Sequence, residues 1–279
     1  MLSGGRTGRR GAIALELAIT MPVLVVIALA AFDLVGAVAA WRRVRAAATS
    51  IAEIATSLAV NTSNSTNQIS STQAAAASTA IYPYIPALYQ SGNTTPFAVT
   101  LSAVVFEPLA NVTNDAGQVT SYKSCAATCV CLNTATAGNG TITTSSTIGG
   151  TNSATTQCYS AYTAWSVPEL QHGATQGGAA WGARPCASAA PTADPPPPPP
   201  LTPVADGTGS TESTLPMGLY GPYSLLVADV AYTFTPMFLN YIMGNVTFTE
   251  SAYVPPRIGT SRQYVQYSPD PSSVTCPGL

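Results

Sequence analysis

The fold is decided by the stretch from Ala12 to Trp41, which reads AIALELAITMPVLVVIALAAFDLVGAVAAW. These 30 residues are almost wholly apolar. As an α-helix they extend about 45 Å, which is enough to cross a bilayer whose hydrocarbon core is roughly 30 Å thick. The stretch therefore predicts one transmembrane helix.

Two carboxylates interrupt this helix, Glu16 and Asp33. The apolar residues between them extend about 24 Å, so both acids fall near the edges of the hydrocarbon core. Asp33 reaches the interface by itself, whereas a carboxylate at the position of Glu16 precedes a long apolar run and costs on the order of 3 kcal/mol at a helix centre. Either Glu16 lies in the interface near the helix start, or another chain supplies its partner charge.

A secretory signal peptide is the competing interpretation, with Ala37-Val38-Ala39 as a small-residue cleavage site. The apolar region exceeds the roughly 7 to 15 residues of a signal sequence, which favours a retained helix. Arginine counts do not orient that helix, because three precede it and three follow it: Arg6, Arg9, Arg10, Arg42, Arg43 and Arg45. The cysteines of the C-terminal half instead indicate an N-terminus in the cytoplasm and the remainder outside.

Composition excludes two classes of protein. Charged residues make up 8% of the 279 residues, against about 25% in ordinary soluble domains, so a charge-coated cytosolic enzyme is not indicated. The net charge is −2, and six of the ten basic residues lie in the first 45 positions. The rest of the chain has no basic patch that could follow a phosphate backbone, and we expect no nucleic-acid partner.

The cysteines are six in number and all lie in the expected exported part: Cys125, Cys129, Cys131, Cys158, Cys186 and Cys276. An even number on one side predicts disulfides in an oxidising compartment, although the sequence does not choose among the pairings. A zinc site at Cys125, Cys129 and Cys131 is the alternative. Their spacing is not the paired C-x-x-C form and His172 is remote, so we expect no metal and no cofactor.

Basic residues and a glycine precede the apolar helix, in the order Arg9-Arg10-Gly11-Ala12-Ile13-Ala14-Leu15-Glu16. This opening is followed by an apolar run that contains Pro22 and then by Phe32-Asp33. The whole pattern resembles TadE-like proteins, the pseudopilins of tight-adherence pili. In pilin-like precursors a prepilin peptidase cuts after such a glycine. The resemblance implies cleavage between Gly11 and Ala12, and an assembly role for Glu16 opposite the freed Ala12 ammonium of a neighbouring subunit.

A second, weaker resemblance lies near the C-terminus, where residues 227–236, 246–252 and 255–257 are similar to the paired strands of TadE-like and TadG-like proteins. The implied partners are the inner membrane, a prepilin peptidase, other pilin or pseudopilin subunits and the pilus assembly machinery. The implied location is a single pass through a bacterial inner membrane, with the C-terminal domain in the periplasm and, after assembly, at the cell surface or in the pilus.

The chain divides into six segments by composition. We predict a cytoplasmic leader (1–11), a transmembrane helix (12–41), an exported continuation of that helix (42–60), an exported α+β region with a Cys-rich surface excursion (61–182), an exposed Pro-rich linker or loop (183–216) and a C-terminal β region (217–279). The helix continuation carries an apolar stripe at spacings of three and four: Val44, Ala47, Ile51, Ile54 and Leu58.

Local patterns predict the remaining elements. Gln73 begins an Ala-rich helix that Pro83 stops. Strands are expected at 97–106, 159–167, 223–234, 246–254 and 264–267, and a hairpin around the turn 114–117. The fold class is therefore α+β: a long N-terminal helix against an antiparallel sheet with disulfide-containing loops, similar to pilins.

The sequence contains no recognisable catalytic motif. His172 lies in a Gly/Ala-rich stretch, and four isolated acids are expected at turns or edges rather than as a glycosidase pair: Glu107, Glu169, Asp229 and Glu250. We therefore expect no enzyme. The function implied by the resemblance is a membrane-anchored pseudopilin-like subunit acting in pilus assembly, surface adhesion or biofilm formation. The alternatives are a permanently anchored periplasmic or surface binding module and a hydrolase displayed on the same anchor.

Overall fold

The computed structural model describes residues 7–59, 68–89, 96–137, 140–172, 182–185, 200–209, 211–256 and 265–268. Its longest helix within these residues is α1 (Thr7–Leu58), whose 52 residues extend about 78 Å. The other α-helices described are α2 (Ser71–Ser78) and α3 (Asn240–Met243), and three short 3-10 helices lie at Thr79–Ile81, Pro86–Tyr89 and Met217–Leu219. Most residues from Glu16 to Phe32 of α1 are exposed, and the second half of the helix lies on a sheet.

Twelve strands are described. In chain order they are β1 (Gln68–Ser70), β2 (Phe97–Pro108), β3 (Val112–Thr113), β4 (Val119–Ser121), β5 (Ser124–Ala137), β6 (Gly140–Thr151), β7 (Thr156–His172), β8 (Thr202–Val204), β9 (Thr214–Pro216), β10 (Ser224–Phe234), β11 (Val246–Val254) and β12 (Gln266–Ser268). Six of them form the main sheet in the order β11-β10-β2-β7-β5-β6, with every neighbouring pair antiparallel. The predicted α+β class is confirmed.

The two ends of the main sheet are called proximal and distal here, by their position relative to the exposed part of α1. At the proximal end Phe97 lies opposite Tyr232, and β10 turns into β11. At the distal end Pro108 lies opposite Tyr159. Helix α1 contacts the proximal end, where a Cβ built on Gly36 comes within 3.3 Å of the Phe234 ring. Any larger residue at position 36 would have to displace that ring.

One face of the sheet is covered by α1 and α2. The predicted stripe on α1 is confirmed, since Val44, Ala47 and Ile51 are fully buried, while Ile54 and Leu58 are half-buried at its edge. Helix α2 begins with a capping box, in which the Ser70 hydroxyl accepts the backbone N–H of Gln73 and the Gln73 side chain accepts the Ser70 N–H. Helices α1 and α2 thus form one layer that packs its apolar side chains against the sheet.

The opposite face of the sheet is covered by residues 200–209 and 211–220, which corrects one expectation. Residues 183–216 were predicted to be an exposed linker, but Leu201 and Leu215 are fully buried against Val104 and Val227. The reason lies in β10, because its apolar side chains point to both faces of the sheet. Both faces therefore have to be shielded from water. Most of the proline run lies outside the described residues.

The segment between Cys125 and Cys158 corrects a second expectation. It was predicted to be a surface excursion, but it forms strand β5, the edge strand β6 and the start of β7. Its many threonines explain this, because β-branched residues suit strands even when they are polar. The predicted hairpin is present as β3 and β4, whereas β12 pairs in parallel with β1 instead of extending the main sheet.

Candidate functional site

The N-terminal part of α1 is an apolar helix with no cover among the described residues. Nearly all positions from Glu16 to Phe32 are exposed, including Leu17, Leu24 and Phe32. The helix is long and apolar enough to cross a membrane. Such an apolar surface is not stable in water, so it requires a bilayer or neighbouring helices.

Glu16 lies at the start of this exposed surface. Its side chain is exposed, and within the part of the chain that the structure describes no cation pairs with it. Its carbonyl oxygen accepts the Thr20 hydroxyl at 2.9 Å. Gly11 and Ala12 lie in the backbone of the first turns of α1. The helix therefore carries the expected acid five positions beyond the glycine, and the described side chains supply no cation to it.

Asp33 fixes the place where the exported domain meets the exposed helix. Its buried carboxylate accepts three backbone N–H groups from the connection between β10 and β11: Met237 at 3.0 Å, Phe238 at 2.9 Å and Leu239 at 2.7 Å. The Phe32 and Phe238 rings meet edge to face, with centroids 5.9 Å apart. The sheet domain is thus attached to α1 from Asp33 onward.

These features extend over the same part of the chain as a family match. Residues 11–53 match the TadE-like protein family. The match confirms the resemblance inferred from the sequence for this segment, and it supports an association with the tight-adherence pilus system. Glu16 and Asp33 both lie inside the TadE-like segment, as does most of the helix face that packs on the sheet.

The remaining comparisons give no further relatives. No curated protein and no solved structure matches the chain. The part of the chain after the TadE-like segment is therefore interpreted from its own contacts.

A buried ion pair lies on the sheet face opposite α1, and the sequence did not predict it. The Arg184 guanidinium binds the Asp229 carboxylate, which also accepts the Ser251 hydroxyl at 2.6 Å. The Arg184 side chain donates to the Thr214 carbonyl at 3.2 Å, and its backbone N–H donates to the Ser166 hydroxyl at 2.7 Å. Burial lowers the pKa of the Arg184 guanidinium, but the charge and hydrogen bonds of Asp229, together with a smaller effect of Tyr253, outweigh burial and raise it.

This pair corrects the interpretation of Asp229 as a turn or edge residue. Asp229 lies in the middle of β10, fully buried. A lone acid inside an apolar strand requires a cation partner, and only four basic residues follow position 45: Lys123, Arg184, Arg257 and Arg262. That shortage of cations is the one sequence signal that could have singled out Arg184 as the partner.

The cysteines that the structure describes gather at the distal end of the sheet. The sulfur atoms of Cys125 and Cys129 are at disulfide distance, and so are those of Cys131 and Cys158. The two pairs are adjacent, because the Cys129 and Cys131 sulfur atoms are 4.0 Å apart. The three sulfur atoms considered for zinc do lie within 4.8 Å of one another, but each belongs to a pair. Cys186 and Cys276 lie outside the described residues.

The other isolated acids lie at separate places on the sheet. Glu107 is exposed near the distal end of β2 and lies opposite Ser160 on β7, about 30 Å along that strand from Glu169. Glu169 accepts the Tyr267 hydroxyl at 3.3 Å, and Glu250 accepts the Trp41 indole N–H. The backbone of His172 ends β7, and its side chain lies outside the described residues.

Proposed function

We propose that this protein is a membrane-anchored pseudopilin-like subunit of a tight-adherence pilus, acting in pilus assembly, surface adhesion or biofilm formation. One observation carries the proposal: the TadE-like segment presents an exposed apolar helix that begins with Glu16, an acid with no cation partner among the described residues, and that continues without a break into the sheet domain. Such a helix can remain in a bilayer or pack beside identical helices in a filament.

Processing supplies the missing partner charge in this proposal. Hydrolysis between Gly11 and Ala12 adds water across the peptide bond, leaving a carboxylate on Gly11 and an ammonium on Ala12. It also removes three arginines from the cytoplasmic end of the helix: Arg6, Arg9 and Arg10. The Ala12 ammonium of one subunit then pairs with Glu16 of its neighbour, which offsets the burial of that carboxylate among apolar helices.

The proposed orientation places the N-terminus in the cytoplasm and the sheet domain in the periplasm. The paired cysteines at the distal end of the sheet support it, because disulfides form and persist in oxidising compartments. The proposal assigns no catalytic residue to the chain. The sheet serves as the exported body of the subunit, and the assembly contacts reside in the helix.

The mature N-terminus tests the proposal. N-terminal sequencing of protein extracted from membranes of a host with an active prepilin peptidase is expected to begin at Ala12. A Gly11→Leu variant is expected to keep Met1 or its successor, whereas Gly8→Leu, a glycine substitution elsewhere in the leader, is expected to be cut normally. An intact leader on the wild-type chain would favour a permanently anchored binding module, and a start at Ala40 would indicate a signal peptide.

A further inference from the structure

The connection between β10 and β11, residues 235–245, forms an apolar loop beside the membrane-spanning helix. Its side chains are unusually exposed: Met237 is 76% exposed, Ile242 76% and Tyr241 100%. No charged residue occurs between positions 235 and 245. A domain surrounded by water on all sides rarely presents such a group of side chains without a partner.

The loop is held at one fixed height along α1. Three of its backbone N–H groups bind the Asp33 carboxylate, and the Phe238 ring lies against Phe32. A helix from Ala12 to Phe32 extends about 32 Å, which matches the roughly 30 Å hydrocarbon core of a bilayer. Asp33 therefore marks the level at which α1 leaves the hydrocarbon, and the β10–β11 loop lies at that same level.

We propose that the β10–β11 loop inserts Met237, Tyr241 and Ile242 into the bilayer surface on the side of the sheet, as a second membrane contact next to the span. Lipid is the occupant that the surroundings favour. The apolar surface of the loop is continuous with the exposed apolar face of α1 through Phe32 and Phe238. A tyrosine at this level occupies the interfacial position that aromatic residues prefer.

The arginines that follow Asp33 on α1 also favour a lipid bilayer as the partner of the loop. Arg42, Arg43 and Arg45 are exposed on α1, beginning about 14 Å further along the helix than Asp33. Basic residues just outside the headgroup region attract anionic lipids, by about 1 kcal/mol each near the surface. The apolar loop below and the arginines above together form a surface suited to an anionic bilayer. This inference depends on α1 being the membrane anchor, and it holds whether or not Gly11 is cleaved.

Photo-crosslinking of the full chain tests this contact. The protein is reconstituted into nanodiscs of phosphatidylethanolamine and phosphatidylglycerol, with a photoreactive phenylalanine analogue in place of Tyr241. After illumination, the intact mass identifies what was captured. The matched control carries the same analogue in place of Tyr122, which is 48% exposed and lies near the distal end of the sheet.

We expect lipid adducts at position 241 in at least about ten-fold excess over position 122. The Asp33→Ala variant is expected to lower the yield at 241 several-fold, because the loop loses the acceptor of its three N–H groups. No lipid adduct at 241, or adducts to a second copy of the chain in its place, would overturn the membrane contact. An unchanged yield in Asp33→Ala would overturn the positioning role of Asp33.

Discussion

The Arg184 guanidinium and the Asp229 carboxylate form a two-point ion pair, with Nε 2.8 Å from Oδ2 and Nη2 2.9 Å from Oδ1. Both side chains are fully buried. The pair attaches residues 182–185, which follow the long strand β7, to the middle of β10. A short segment with little apolar surface is thereby fixed on the sheet by charge.

Removing one partner of this pair is expected to be costly. Asp229→Ala leaves the Arg184 guanidinium buried without its counter-charge, so the free energy of unfolding should fall by about 3 to 5 kcal/mol. Denaturant unfolding of the full chain in detergent measures this. Glu107→Ala, at an exposed acid of the neighbouring strand β2, should change it by less than about 0.5 kcal/mol.

The double variant Arg184→Met with Asp229→Leu separates charge from packing. It should recover most of the stability lost in Asp229→Ala, because apolar residues of similar size avoid the cost of burying unpaired charge. A double variant as unstable as Asp229→Ala would mean that the shape of the pair matters more than its charge.

The two cysteine pairs are expected to contribute unequally to stability. Cys131–Cys158 closes a loop with a sequence separation of 27, and Cys125–Cys129 closes one of 4. In the chain-entropy account the longer loop contributes about 3 to 4 kcal/mol and the shorter about 2 kcal/mol. Replacing Cys131 and Cys158 with serine should therefore lower the melting temperature more than replacing Cys125 and Cys129.

Peptide mapping of unreduced protein checks the pairing itself. Fragments joined through Cys131 and Cys158, and through Cys125 and Cys129, are expected, and Cys186 and Cys276 are predicted to be paired as well. Four or more free thiols would refute the disulfide interpretation, and stoichiometric zinc would favour the metal alternative.

Glu169 should give the protein a pH-dependent stability. Burial raises the pKa of its carboxyl above the ordinary 4.5, and the hydrogen bond from Tyr267 opposes this to a smaller extent. The folded state thus holds the proton more tightly than the unfolded state, so stability is greatest below the ordinary pKa and falls as the pH rises through the folded pKa.

The Glu169→Gln variant removes this titration. It should raise the melting temperature at neutral pH, and the gain should disappear in acid, where the wild-type carboxyl is already protonated in both states. Glu107→Gln, at an exposed acid, should show no such trend. A gain that persists unchanged in acid would show that packing, not ionisation, distinguishes the glutamine.

Glu16→Gln should separate membrane insertion from assembly. The neutral side chain lowers the cost of the apolar environment by up to a few kcal/mol, so insertion should be retained or improved. Assembly should fall, because the amide does not pair with a neighbouring ammonium. Membrane fractionation and co-purification with pilus components measure the two effects.

Glu53→Gln is the matched control for Glu16→Gln, since Glu53 is an exposed acid on the same helix beyond the membrane. It should leave both measurements unchanged. Normal incorporation of the Glu16→Gln variant into the pilus system would reduce Glu16 to an interfacial residue without an assembly role.

The sequence predicted the elements whose signal is local. Helix α1 follows from its apolar run and its stripe, and β10 and β11 follow from adjacent apolar and β-branched runs joined through Gly244-Asn245. The TadE-like opening was readable because its basic residues, glycine, glutamate and proline lie within a short distance of one another.

The contacts that the sequence did not predict join residues far apart in the chain. Arg184 and Asp229 are 45 positions apart, and Asp33 binds N–H groups more than 200 positions away. Backbone N–H groups carry no side-chain signature, so nothing in the sequence distinguished the loop that Asp33 binds. The cover over the second face of the sheet was hidden for a similar reason, because Leu201 and Leu215 are isolated apolar residues among prolines and threonines.

The close contact of Gly36 with the Phe234 ring and the hydrogen bonds of Asp33 to the β10–β11 loop attach α1 to the sheet at two neighbouring points. If α1 and the sheet move as one rigid body, a change in the tilt of α1 displaces the cysteines at the distal end of the sheet by a large distance. Rotation of the helix about its own axis turns the whole sheet with it. In an array of copies, the crossing angle between neighbouring helices would then determine the direction in which each sheet points. The helical symmetry of the distal surfaces would follow from the contacts between the helices.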